Sequence, residues 1–331
     1  MRVKLLFCMI ILMFFIAGCS ESIKEDTLNK INITNISIDN YFVKGRNVQC
    51  FSGVPKHVIV VGENETETLL DLGVDSNNIT AVAQNNRNYA MKEENAKKFE
   101  TIRKIKSKYL NMEYILNMNP DLIIAQQCVF IRNRLNNTDY WNSKGIKTLV
   151  PLNTNSPSKH LYDETVDTEM KFISDLGRVF NREERAKEII NETYAEIDLI
   201  NSVTKDLYKP HVMIVEFLSS MISYDKTKLV GNMVTNIGGV VSETPPVIGY
   251  EDIMKENPDV LFVVCSHMDY GKCIEKITNN EGLKNLKCVK TNNVYSIPLR
   301  FTYGTACRTK DGIDYLAERM YHRKFASNYK L

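Results

Sequence analysis

Glu113-Tyr-Ile-Leu-Asn-Met-Asn-Pro-Asp121 runs directly into Leu122-Ile-Ile-Ala125, and 138 residues further on Glu251-Asp-Ile-Met-Lys-Glu-Asn-Pro-Asp259 runs into Val260-Leu-Phe-Val263. Each stretch reads as a short helix that stops at proline and gives way to a strand of continuous apolar residues. A second echo lies upstream of each. Lys56-His-Val-Ile-Val-Val61 and Pro210-His-Val-Met-Ile-Val215 are apolar strands entered from a proline-containing loop. The first continues into Gly62-Glu-Asn-Glu-Thr-Glu-Thr-Leu-Leu-Asp-Leu-Gly73, a helix with a closing glycine. Spacings this long are wrong for a solenoid and indicate two duplicated lobes.

Further apolar runs fit the same alternation: Ile79–Ala83, Thr148–Pro151 and Val294–Ile297. Apolar strands separated by helical crossovers imply parallel sheets covered on both faces. Between the lobes Leu161, Val166, Met170, Ile173, Leu176 and Phe180 recur at helical intervals, and Asn181-Arg-Glu-Glu184 offers an N-cap with Glu at N3 for a second helix. The expected fold class is α/β: two Rossmann-like lobes with parallel sheets, joined by a single long α-helix. The expected divisions are an N-terminal lobe over residues 45–157, the interlobe helix over 158–180 and a C-terminal lobe over 181–331. A helix of about 20 residues spans about 30 Å and resists bending, so such lobes close only slightly around a ligand.

The N-terminus carries an address. Arg2 and Lys4 precede the apolar run Leu5–Ala17, and Ile16-Ala17-Gly18-Cys19 follows. This is the order of a signal peptide over residues 1–18, too short to span a bilayer. Cysteine directly after Ala-Gly resembles the bacterial lipobox, which implies lipidation of Cys19 and a membrane anchor of two acyl chains. Residues 19–44, rich in Ser, Glu, Lys, Asn and Thr, read as lipid anchor and flexible tether.

Composition narrows the partners. The 331 residues carry 42 basic and 40 acidic side chains, and removal of Arg2 and Lys4 with the signal leaves the two in balance. No single-sign run suggests nucleic acid. No second segment reaches membrane length, so a transport role requires a separate permease. Catalytic signatures are missing: Gly-x-Ser-x-Gly, His-Glu-x-x-His, Walker A and Gly-x-Gly-x-x-Gly do not occur, and the five histidines are scattered. No enzyme is expected. A site for bare zinc or manganese needs converging His and carboxylate ligands, and only His267 is well placed. Six cysteines remain beyond Cys8 and Cys19, none in a C-x2-C pair, and their fifteen pairings stay open.

The order of motifs from Val54 to Phe325 resembles the substrate-binding proteins of iron-complex and cobalamin ABC importers. The resemblance is carried by Val54-Pro-Lys-His-Val-Ile-Val-Val-Gly62 with Thr66-Glu-Thr-Leu-Leu70, the paired Asn-Pro-Asp strands, and Leu176-Gly-Arg-Val-Phe180 with Glu184-Arg-Ala186. Lys228-Leu-Val-Gly-Asn-Met233, Gly238-Gly239 and Asn293-Val-Tyr-Ser-Ile297 add to it. It implies the class III, helical-backbone fold, a ligand held between the lobes, and delivery to a two-subunit permease with its ATPase. The protein is then a monomer on the extracytoplasmic face, held to the membrane by lipid alone, with no intrinsic cofactor.

Ligands of α/β lobes sit beyond the carboxyl ends of the strands. The loops there offer Asn64, Arg87, Tyr89, Tyr109, Gln127, Arg132, Tyr224, Tyr250, Tyr270, Arg300, Tyr303 and Arg308 as cleft candidates, with His267 the sharpest. Arginine suits carboxylate or catecholate oxygens through its fixed donor fork, and tyrosine lays a flat face with a polar tip against a chelate. Heme-binding members of the family place a histidine in the corresponding loop, which would make His267 an axial iron ligand. This chain departs from them in the first lobe, where Lys108 stands in place of a methionine ligand and Tyr109 offers a phenolate instead. Cys265, Cys273 and Cys307 are candidates for a disulfide, either within the Cys265–Cys273 loop or from it to Cys307, and Cys128 also falls on the cleft side. Permease-docking carboxylates are sought among Glu65, Glu67, Glu251 and Asp252. Among ligands a ferric siderophore ranks first, then heme, then a corrinoid; a sensor or adhesion lipoprotein on the same fold is the alternative without transport.

Overall fold

Two aspartates fix how the parallel strands start. The computed structural model describes residues 30–83, 89–106, 110–153, 163–265 and 270–322. In it the Asp121 carboxylate accepts the backbone N–H groups of Lys56 at 2.7 Å and His57 at 3.1 Å. Asp259 does the same for His211 at 2.9 Å and also accepts the Tyr208 hydroxyl. The backbone reciprocates: Asp121 N–H reaches His57 O at 3.0 Å and Asp259 N–H reaches His211 O at 2.9 Å. Asn119 and Asn257, just ahead of each proline, take left-handed φ of 47° and 43°, a conformation asparagine tolerates better than most residues. Each Asn-Pro-Asp therefore turns the chain out of a helix and locks the next strand in register beside the one that begins with His-Val.

The first sheet is wholly parallel. Its strands are β3 (Val58–Val61), β4 (Ile79–Ala83), β5 (Lys104–Ile105), β6 (Leu122–Ala125) and β7 (Lys147–Leu149), in the order β5-β4-β3-β6-β7. The helices between them are α1 (Glu63–Asp71), α2 (Glu93–Thr101), α3 (Met112–Leu116) and α4 (Thr138–Ser143). Every residue of β3 and β6 is buried, which explains their unbroken apolar sequences. Helix α1 ends where Gly73 adopts a φ of 77° and Val74 N–H turns back to Leu69 O at 2.9 Å.

Two helices follow. α5 (Val166–Val179) has 14 residues, about 21 Å, and opens on a Thr165/Thr168 capping box. It is shorter than the helix of about 20 residues expected; part of that range lies outside the described residues. Asn181 (φ 53°) turns the chain into α6 (Glu183–Thr204). A Cβ on Gly177 would stand 2.6 Å from that of Ala186, so the close approach of the two helices requires glycine there.

The second sheet contains β8 (His211–Phe217), β9 (Met221–Ser223), β10 (Val240–Val241), β11 (Val247–Ile248), β12 (Val260–Cys265) and β13 (Val294–Pro298). Its order is β11-β9-β8-β12-β13, with β10 also beside β8. The expectation of parallel strands fails at one edge: β9 runs antiparallel to β8 because the chain reverses tightly at Leu218–Ser220, which only antiparallel pairing permits. Helices α7 (Leu229–Asn236), α8 (Tyr250–Glu256), α9 (Tyr270–Thr278), α10 (Lys287–Lys290) and α11 (Thr309–Tyr321) complete the lobe. One apolar core runs continuously from the inner face of the first sheet (Val58, Val60, Ile124) through Ile173, Leu176 and Ile200 to the second (Ile214, Phe262, Ile297). The lobes share an interior, and hinging them apart would open it to water.

The expected tether of residues 19–44 is corrected by the structure: from Ile31 onward the chain is folded. β1 (Ile31–Asp39) and β2 (Phe42–Phe51) form an antiparallel hairpin whose Ile33, Ile36 and Ile38 are buried. Polar contacts, one of them from Asn35 within the expected tether, hold it against the first lobe. Asn35 Oδ1 accepts Val150 N–H at 3.0 Å, Gln49 Oε1 accepts Thr148 N–H at 3.2 Å, and Thr138 Oγ1 accepts Ile38 N–H at 2.9 Å. Asn35 and Gln49 thus pair backbone groups at the edge strand β7, covering an edge that would otherwise be open. Ile36→Ala is expected to lower the unfolding free energy by about 2–4 kcal/mol in urea titration; a loss much below about 1 kcal/mol would mean that the hairpin merely rests on the lobe.

Candidate ligand cleft between the lobes

Helix α1 begins at the carboxyl end of β3, and the segment Leu299–Arg308 leaves the carboxyl end of β13; the two meet across the cleft. Arg308 Nε lies 2.8 Å from Glu67 Oε2, and Arg308 Nη2 lies 2.8 Å from Glu67 Oε1 and 3.0 Å from Ala90 O. Its Nη1 reaches Asp311 at 2.7 Å. Glu67 also accepts the Tyr89 hydroxyl at 2.5 Å and Lys92 N–H at 2.6 Å. Both members of the pair are out of water, Glu67 completely. Burial works against the charged guanidinium, but the Glu67 charge and its hydrogen bonds outweigh it and raise the Arg308 pKa. Burial, together with Glu67, likewise pushes the Tyr89 phenol well above its ordinary value.

Three more contacts close the same seam. Asn64 Nδ2 donates to Gly304 O at 2.6 Å, Cys307 N–H reaches Thr68 Oγ1 at 3.4 Å, and the Glu169 carboxylate on α5 accepts Ala306 N–H. Gly304 has a φ of 57°, and a Cβ there would come within 3.4 Å of Asn153 O. Two carboxyls sit inside the seam. Burial pushes Glu65 up to about 8, against the hydrogen bond from Gln126, and pushes Glu169 up to about 7.

The arrangement redistributes the candidates read from sequence. Asn64 and Arg308 bond across the seam between the lobes, and Tyr89 donates to Glu67 within the first lobe. Gln127 is buried and donates to Tyr41 O. Tyr224 is buried and its hydroxyl donates to Glu216. Arg300 is buried with its guanidinium 4.8 Å from the Phe301 ring centre. Tyr250 and Arg132 are exposed, and Tyr303 is partly so. Arg87, Tyr109, His267 and Cys19 lie outside the described residues, and nothing is described of the Tyr270 side chain. Of the four docking carboxylates considered, Glu65 and Glu67 are buried and Asp252 caps α8 by accepting Gly249 N–H at 2.8 Å; Glu251 stays exposed. Cys265 and Cys273 form a disulfide, while Cys307 is an unpaired buried thiol.

The groups that gather around the cleft were mostly not among those candidates. Burial, Glu216, Cys128 and Tyr41 all raise the Tyr303 phenol. Burial, Cys128 and Glu164 raise the Tyr41 phenol. Cys128, unpaired and on an exposed residue, is raised by burial of its sulfur and by Glu65, with Arg134 acting the other way. Glu216, Cys128 and Tyr41 thus lie near enough to Tyr303 to act on its phenol, from the end of β8, the loop behind β6 and the hairpin. Tyr41 escaped the sequence reading because it was counted as tether; the signal was Asn40 between two alternating stretches, a hairpin-turn residue. Among the described residues no group of three or more His, Cys, Asp or Glu is placed to hold a metal ion. None of their helices is long and apolar enough to cross a membrane.

The family model described as periplasmic binding protein matches residues 58–300. Among solved structures, a periplasmic binding protein of Veillonella parvula is 25% identical over 88% of this chain and 92% of its own, with a TM-score of 0.78. An ABC-type Fe3+-hydroxamate transport protein of Saccharomonospora viridis is 17% identical over 86% and 99%, with a TM-score of 0.68. A periplasmic heme-binding protein of Roseiflexus is 16% identical over 81% and 98%, with a TM-score of 0.61. A comparison with curated proteins finds no match.

Two outcomes follow from the seam. Arg308→Met leaves Glu67 buried without its cation and is expected to cost about 3–5 kcal/mol, whereas the Arg308→Met/Glu67→Met double variant should recover most of that in the same denaturant titration. The acids give a pH signature. Their folded pKa values lie above the ordinary carboxylate value of 4.5, so the folded state holds protons that the unfolded chain has released. Their contribution favours folding below about pH 4.5, declines as pH rises towards 7–8, and is level above that. Glu65→Gln should flatten the fall in melting temperature between pH 5 and pH 8; an unchanged slope would remove Glu65 from the account.

Proposed function

Because the chain belongs to the periplasmic binding protein family, we propose that it is the substrate-binding lipoprotein of an ABC importer, capturing a ferric siderophore between its lobes and delivering it to a permease and ATPase. Cys19 carries the lipid, and the tether, shortened to residues before Ile31, keeps the binding lobes near the extracytoplasmic face. The observation that supports a siderophore most directly is the charge of the described cleft wall. Arg308 is committed to Glu67 and Asp311, and Arg300 is buried, so neither seam arginine is free for an anionic ligand, and the described groups around Tyr303 are phenols, a thiol and the Glu216 carboxylate, with Arg134 beside the thiol. A tris-catecholate complex or the propionates of heme call for arginine forks. A neutral or cationic ferric hydroxamate does not, and its amide N–H groups suit carboxylate and phenol acceptors. The likeness to a hydroxamate transport protein points the same way.

Heme is the second reading, resting on His267, which falls in sequence between the disulfide partners Cys265 and Cys273. Trp141 is buried in the first lobe beside Leu135 and is a poor reporter for either ligand, so calorimetry and visible absorption are the methods of choice. Mature protein titrated with ferrioxamine B, ferrichrome, ferric enterobactin, hemin and cobalamin should form a one-to-one complex with a hydroxamate and none with the tris-catecholate. Tighter binding of the tris-catecholate would sink the charge argument. A Soret shift lost in His267→Ala would establish heme instead, and silence from all five would end the capture reading. Replacement of Cys19 by Ala should move the protein from the membrane fraction to the medium.

A further inference from the structure

The hairpin that was mistaken for tether ends in a two-residue turn, since Asp39 pairs with Phe42. Both turn residues are left-handed, Asn40 at φ 47° and Tyr41 at φ 76°. That is the demand of a tight hairpin turn, for which Asn-Gly is the favoured pair. Asparagine meets it at the first position. At the second, tyrosine stands where glycine would be free of strain, and its Cβ crowds the backbone.

The turn is also fastened. Tyr41 N–H donates to Phe130 O at 3.1 Å, and its carbonyl accepts Gln127 Nε2. Both partners belong to the loop behind β6, on the carboxyl side of the first sheet. The phenol thereby comes under the influence of Cys128 in that loop and of Glu164 ahead of α5, and itself acts on Tyr303 in the second lobe. The match to the family model begins at residue 58, after the hairpin.

We propose that Tyr41 is a ligand-contacting, specificity-determining residue: the hairpin lays its ring and hydroxyl against a bound chelate as a third wall of the cleft, between the loops of the two lobes. The inference rests on the capture reading and adds to it the surface that distinguishes one chelate from another. A phenol gives a flat apolar face and one hydroxyl, which fits the ring or methylene flank of a neutral or cationic chelate. The backbone strain at position 41 is then explained by what the side chain does in the cleft.

The test separates strain from binding. Tyr41→Gly removes the side chain and relaxes the turn, so the unliganded protein should melt at the same temperature or higher. Its affinity for the tightest-binding chelate of the panel should fall by about tenfold or more, the scale of a buried aromatic contact. Tyr41→Phe should lose less, and Tyr41→Asn, which also tolerates the turn, should lose as much as glycine while changing the ratio of ferrioxamine B to ferrichrome affinity. Val48→Ala, an exposed position on the same hairpin, should change none of these. Wild-type-like affinity and ratio in both Tyr41→Gly and Tyr41→Asn would overturn the role of Tyr41 and leave the capture reading standing. If the wild-type protein binds no chelate, both fall together.

Discussion

Arg308 and Glu67 face each other through two parallel contacts of 2.8 Å in the seam between the lobes, with water shut out from both. Taking two such charges out of water costs several kcal/mol each, and attraction repays it only when the remaining hydrogen-bonding capacity is filled. Here it is filled. Glu67 receives Arg308 Nε, Arg308 Nη2, the Tyr89 hydroxyl and Lys92 N–H, about the number of lone-pair positions a carboxylate has. The pair therefore fixes geometry as well as charge, because a shift of one lobe would strand an ion in a dry interior. With the shared core behind it, the cleft is already formed before a ligand arrives. A preformed site loses little of its binding energy to reorganisation.

The same pair changes what the cleft is. An arginine at a strand end reads as a ligand donor, and here it is consumed by the fold. The groups that act on Tyr303 have weaker individual signals, the phenol of Tyr41, the Cys128 thiol and the Glu216 carboxylate, gathered from elements far apart in sequence. The duplicated Asn-Pro-Asp segments have the opposite character. They do one job twice, clamping β6 to β3 and β12 to β8, and they lie at the amino ends of those strands, away from the ligand. Duplication built the frame; the unduplicated pieces, the hairpin and the Leu299–Arg308 segment, built the site.

This division explains what could be read from the chain alone. The buried strands announced themselves by continuous apolar runs, and Gly73 and Asn-Pro-Asp by local turn chemistry, all within a few residues of one another. The hairpin did not, because Asn35 and Gln49 look like solvent-loving residues until Val150 and Thr148 at β7 present backbone groups for them to bond. Nor did the seam, since Glu67 and Arg308 are 241 residues apart and no periodicity connects them. Side-chain direction at a strand end depends on the partner found across the cleft, and that partner is supplied by the other lobe.

Arg308 serves Glu67 and Asp311, and the two further carboxyls of the seam, Glu65 and Glu169, are held without it. Burial keeps Glu65, at about 8, protonated at neutral pH, and leaves Glu169, at about 7, divided between its two forms. Glu169 can share its charge with the Ala306 N–H that it binds. Glu65 has Gln126 beside it and no cation, so a protonated carboxyl is the form that fits its surroundings. Were Glu65 ionised, its buried charge would be opposed by Glu63 and Glu169, which already push its pKa upward. Keeping it neutral leaves the Arg308 guanidinium to Asp311 and to Glu67, the contact that holds the lobes at their spacing.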